Sequence, residues 1–225
     1  MLKAVVFDFD ETLVKNTEFI KEHIIRVIER FPSPKKLSEK KKKDWQKKIR
    51  ELTDVNTNFA EMFDILFGKE KGFEYLENYR LDSKEQKYNP VDGALEFVEE
   101  LKKKGIKLYI LSNRTKMLDL RAEQAGFDSS DFEIYSVPDG HEKPDPISYQ
   151  PILEKLKENG YQYDEVLFIG NNVKDFKGLP SEWSNRFRAM PFTEIQKSNF
   201  LKDNFPQKYI FENYSELFES IKESL

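Results

Sequence analysis

The chain has 225 residues, of which 35% are charged, with a net charge of −4 and a mean hydropathy of −0.72. No cysteine and only two histidines are present, which excludes disulfides, thiolate metal sites and cysteine nucleophiles and leaves oxygen ligands for any metal. No apolar run approaches the roughly 18 residues that span a bilayer, and the apolar start at residues 4–7 runs straight into carboxylates, unlike a secretion signal; a soluble cytoplasmic protein without a membrane partner is expected.

Residues 2–9 form an apolar, β-branched run that ends on acids, the pattern of a strand buried on both faces in a parallel sheet. Helical spacing follows over 16–31, with Asn16 as cap and Pro32 as stop, then over 38–52 and over 58–67, closed by Gly68; an aromatic stretch covers 73–79. Phe59, Phe63, Phe67, Phe73, Tyr75 and Tyr79 are read as the core of this helical segment, and His23 as flanking the apolar face of its first helix. Residues 35–50 carry nine basic side chains against Glu39 and Asp44. Their stripe of Trp45, Ile49 and Leu52 is that of one surface helix, and aromatics interleaved for base stacking are missing, so nucleic acid is not expected as a partner.

From residue 89 strand and helix alternate. Helices are expected over 92–104, 115–125, 147–159 and 215–225, with Gly105, Gly126 and Gly160 closing the first three; strands are expected over 106–111, 132–137, 165–169, 186–190 and 209–211. Such alternation makes an open α/β sheet. The helical stretch is too long for a crossover, so 1–14 with 89–225 is expected to form the α/β core and 15–88 an inserted all-helical domain.

Ligands of open α/β sheets bind outside the carboxyl ends of the strands. Four segments fall there: Asp8-Phe9-Asp10-Glu11-Thr12 after the first strand, Ser112-Asn113 after the second, Lys143 in the loop before Pro144, and Gly170-Asn171-Asn172-Val173-Lys174-Asp175. Buried acids in such a place need a cationic partner. Arg114 and His141 lie beside these segments and are read as an exposed helix-start arginine and a loop histidine.

In this order the four segments resemble the four motifs of the haloacid dehalogenase superfamily, over residues 2–13 and 89–175. The resemblance implies a three-layer Rossmann-like α/β core with a central parallel sheet and a helical cap, and a phosphatase acting on a small soluble phosphomonoester. It further implies Asp8 as nucleophile, Asp10 as acid and base, Thr12 as support, Ser112, Asn113 and Lys143 as phosphate-binding groups, and Mg2+ held by Asp8, Asp10 and Asp175 or Asn171. The chain departs from the family's phosphatases at Asn171, where they carry an aspartate. Alternatives therefore stay open: a catalytically weakened binding or regulatory protein, a phosphomutase, or a metal-free haloacid dehalogenase, against which Asp10 speaks. Substrate identity and oligomeric state carry no motif.

Overall fold

The computed structural model describes all residues except 16, 33, 55–58, 85–86 and 115–116, together with the side chains outside 17–19, 53–54 and 59. The expected cap at Asn16, the helix starts at Asn58 and Thr115 and the side chains of Phe19 and Phe59 therefore lie outside the described residues. The chain divides into two compact units, Met1–Lys15 with Tyr88–Leu225, and Asn16–Lys87.

The first unit is built on five parallel strands. β1 (Ala4–Phe7) is central, β4 (Lys107–Ser112) and β5 (Phe132–Ser136) lie to one side, and β6 (Val166–Gly170) and β7 (Phe187–Ala189) to the other. β1 pairs with both neighbours in register, Phe7 opposite Ile110 and Ile169, which explains why its residues are apolar on both faces. One face, with Val6, Tyr109, Leu111 and Phe168, packs against Ile152 and Leu156 of α7 (Gln150–Glu158), Trp183 of α9 (Ser181–Ser184) and Phe200 of α10 (Glu194–Lys202). The opposite face presents Phe7, edge-on to Phe97 of α5 (Ala94–Lys103), which in turn meets Tyr214 of α11 (Tyr214–Ile221) at 4.9 Å. Helices thus flank the sheet on both sides. The order of strands reverses at β1, which brings the carboxyl ends of β1, β4 and β6 together.

Several local expectations change. Residues 209–211 contribute one bridge, Ile210 to Ala189, because a 3-10 turn at Gln207–Tyr209 occupies the approach. The helix expected from 147 begins with a 3-10 turn at Pro146–Tyr149 and is regular only from Gln150. α6 (Leu118–Gln124) starts after Met117, whose φ is 62°. Gly178 and Pro180 interrupt the chain after β6: α8 (Val173–Lys177) is five residues long and α9 follows separately. The sequence pattern shows none of α8, α9, α10 and the antiparallel pair β2 (Val14–Lys15) with β3 (Asn89–Pro90).

The second unit holds α1 (Thr17–Arg30), α2 (Glu39–Asp54), α3 (Phe59–Phe67) and α4 (Lys69–Ser83) around Ile24, Ile49, Met62, Phe63 and Leu76. Trp45 stacks on Phe67 at 5.4 Å, and Phe67 on Tyr75 at 4.0 Å. Phe73, expected in this core, is instead 67% exposed, because it lies on the outer side of α4. His23 is fully buried, stacked on Tyr79 at 3.9 Å with Nε2 2.9 Å from Asp82. Among the described residues no helix is long and apolar enough to cross a membrane.

Candidate active site

The strand β1 ends at Phe7, and the Asp8 amide still donates to the Ile169 carbonyl at 2.8 Å. The chain then folds back sharply, with the Phe9 carbonyl accepting from the amides of Thr12, Leu13 and Val14. Glu11 takes φ 61° in this turn, a region costly for a residue with a Cβ. The fold-back sets the Thr12 hydroxyl to donate to Asp8 Oδ2 at 3.2 Å. From α11, the Tyr214 hydroxyl donates to the Thr12 carbonyl at 2.7 Å and pins the turn from below.

Lys143 is the centre of the arrangement. Only 4% of its side chain is exposed, and its ammonium donates to Asp8 Oδ1 at 2.6 Å, to Asp175 Oδ1 at 2.7 Å and to the Leu111 carbonyl at 3.0 Å. All three ammonium protons are therefore satisfied by three different segments of the chain. The Lys143 amide donates to Asn113 Oδ1 at 2.9 Å, so the residue after β4 fixes the loop that carries the lysine. Burial opposes the charge on Lys143, but Asp175 and Asp8 outweigh it and hold its pKa above the ordinary range. The Asp8 carboxyl is pushed up to about 7, by burial first and then by the Asp175 charge, with Lys143 pulling the other way.

Asp175 caps α8 as well as holding Lys143: its Oδ2 accepts from the Asn172 amide at 3.0 Å. It lies so close to the end of β6 that a Cβ on Gly170 would meet the Asp175 Cβ at 2.7 Å, which is why a glycine stands there. The Tyr149 hydroxyl donates to the Asp175 carbonyl at 2.7 Å. Neither tyrosine is marked by any sequence signal; each reaches the site from an element distant in the chain. Ser112 and Asn171 are both buried at the same sheet edge.

Asp10 does not join the Lys143 cluster. Its carboxylate is gripped by Arg114, with Nη2 at 2.9 Å from Oδ1 and 3.2 Å from Oδ2, and Nε at 3.3 Å from Oδ2. Arg114, read from the sequence as an exposed helix-start residue, thus belongs to the site. His141 pairs with Asp145 at 2.6 Å instead of with any of these groups.

Among the described residues no three carboxylate or imidazole side chains gather into a metal cage. Magnesium does not require one, since it binds through one or two carboxylates together with waters and substrate oxygens. The donors here are all oxygens, and the three carboxylates Asp8, Asp10 and Asp175 face two cations, Lys143 and Arg114; that surplus of negative charge suits a hard cation beside Asp8. Asp175, expected beside or in place of Asn171 as a metal ligand, accepts from Lys143 and caps α8 in this structure.

Solved structures share this fold. A protein assigned as a β-phosphoglucomutase from Thermotoga maritima superposes with a TM-score of 0.72 at 20% identity, covering 100% of both chains. A protein assigned as the HAD-hydrolase YfnB from Bacillus subtilis, solved bound to magnesium, gives 0.69 at 18% identity over 98% of this chain and 99% of its own. One assigned as a phosphoglycolate phosphatase from Lactobacillus delbrueckii subsp. bulgaricus gives 0.61 at 19% identity, covering 97% and 98%. No curated protein matches at the sequence level. The family model described as haloacid dehalogenase-like hydrolase matches residues 2–181, most of the chain and the ends of β1, β4 and β6, and the chain belongs to the haloacid dehalogenase-like hydrolases.

Proposed function

We propose that this hydrolase is a phosphatase of small phosphomonoesters that works through an aspartyl phosphate on Asp8. The observation that carries the reading is the buried Lys143 ammonium joining Asp8 to Asp175 while Asp10 stands two residues on, at the same sheet edge. In the first step an Asp8 oxygen attacks phosphorus, the P–O ester bond breaks, and the leaving oxygen takes a proton from the Asp10 carboxyl. In the second, water attacks the phosphorus, gives its proton to Asp10 and releases inorganic phosphate and free Asp8.

Thr12 and Lys143 hold the Asp8 carboxylate in one orientation, which lowers the entropy cost of reaching the transition state. Ser112 and the Asn113 amide, at the end of β4, serve as donors to the phosphoryl oxygens, and Lys143 offsets charge on nucleophile and phosphate together. Asp8, the Asp10 carbonyl and Asn171 are the groups assigned to magnesium, with Asp175 acting through Lys143; bound there, the ion neutralises charge on the phosphoryl oxygens. In this reading residues 16–87 are the cap that selects the substrate.

Phosphate release from an aryl phosphate with magnesium tests the proposal. Asp8→Asn is expected to lower kcat by about 1,000-fold or more. Absence of release by the wild-type protein across about pH 5–9 would overturn the reading in favour of a binding or regulatory role. Return of the phosphoryl group to the product would mark a mutase, and haloacid turnover without metal a dehalogenase.

A further inference from the structure

The Arg114 guanidinium is placed unlike the other cation of the site. Lys143 is buried and committed to three fixed acceptors, whereas Arg114 and Asp10 retain 24% and 35% exposure and can be reached by a ligand. The fork of the guanidinium covers both Asp10 oxygens, the geometry in which arginine recognises carboxylates and phosphates alike. The Arg114 amide donates to Ser112 Oγ at 3.1 Å, so its backbone stays tied to the end of β4 whichever anion the side chain holds.

Both Asp10 oxygens accept from the one guanidinium, so the carboxylate is turned toward Arg114. We infer that Arg114 is a latch on Asp10 that a second anionic group of the substrate opens: a carboxylate or a second phosphate takes over the guanidinium and frees Asp10 to turn to the reacting oxygen. The substrate class is thereby a small phosphomonoester with a further negative charge on its alcohol part. This rests on the reading of Asp10 as acid and base of a phosphatase. Arg114 in this role binds the substrate's second anion directly and positions Asp10 by holding or releasing it. A partly exposed ion pair is exchanged more readily than a buried one, which suits a group that must change partners on each turnover.

The test compares 2-phosphoglycolate with 2-hydroxyethyl phosphate, which differ in the carboxylate. In the Asp8→Asn background, where binding is read without turnover by calorimetry, the carboxylate compound is expected to bind about tenfold tighter, and adding Arg114→Gln to bring the two affinities together. Arg114→Lys, a point charge without the fork, is expected to fall between. Equal affinities in the Asp8→Asn protein, persistence of the preference in Arg114→Gln, or full selectivity in Arg114→Lys would each overturn the latch. With Asp8 intact, the ratio of kcat/KM for the two substrates is expected to fall about tenfold in Arg114→Gln. Selective binding together with no phosphate release by the wild-type protein would support the anion-sensing arginine and overturn the phosphatase reading, so the two failures are distinct.

Discussion

Burial and the Asp175 charge push the Asp8 carboxyl up to about 7 against the pull of Lys143, and the sign of the consequence follows from proton linkage. The folded state holds the Asp8 proton more tightly than the unfolded chain, so this stabilising contribution is complete below about pH 4 and is lost as pH rises through about 7. Asp8→Asn cannot ionise. Its melting temperature is expected to exceed that of the wild-type protein by a margin that grows from pH 5 to pH 8, measured without metal; a margin independent of pH would remove the ionisation cost from Asp8. Asn171 allows a second expectation at this scale. Replacing a neutral oxygen donor by a charged one strengthens a hard-cation site, so Asn171→Asp should lower the magnesium concentration for half-maximal activity about tenfold. An unchanged magnesium dependence would take Asn171 out of the ligand set.

At the scale of elements, the site depends on how closely α8 approaches β6. A Cβ on Gly170 would meet the Asp175 side chain at 2.7–2.9 Å, so Gly170→Ala must push the first turn of α8 away and Asp175 from Lys143. A loss of about 1–3 kcal/mol in urea denaturation is expected, with a fall in turnover larger than the stability change explains; wild-type turnover would show that the α8 cap has room to move. The strands β1, β4 and β6, which lead to Asp8, Ser112 and Gly170, are legible in the sequence because burial on both faces demands unbroken apolar runs. Less legible are contacts whose partners lie far along the chain. Tyr149 and Tyr214 look like core aromatics in any pattern, and only the fold turns their hydroxyls to Asp175 and Thr12. Arg114 reads as exposed in the sequence because helix starts favour exposed polar side chains, and its partner Asp10 lies 104 positions away. α10 carries a local signal, the Thr193–Gln196 capping box, but the helix it opens has no clean apolar stripe and so shows no helical period. β2 and β3 are two residues each, too short for any period to show.

On the scale of the whole molecule, the acids after the first strand mean little by themselves, and it is the order of four strand-end segments that makes the family readable. In the proposed reading chemistry depends on a few groups at one sheet edge, while the side chains that choose a substrate obey no motif. The chain also carries an optical property that follows from its division. It has two tryptophans, and one falls in each compact unit: Trp45 stacked on Phe67 among the helices, and Trp183 buried beside Phe168 and Tyr163 next to the sheet. Each is therefore a built-in fluorophore for one unit, and Trp183→Phe and Trp45→Phe yield single-colour reporters without an added dye. The helical unit is less than half as long as the other and buries proportionally less surface, so emission from Trp45 is expected to change at lower urea than emission from Trp183; superimposable curves would mean that the two units melt as one.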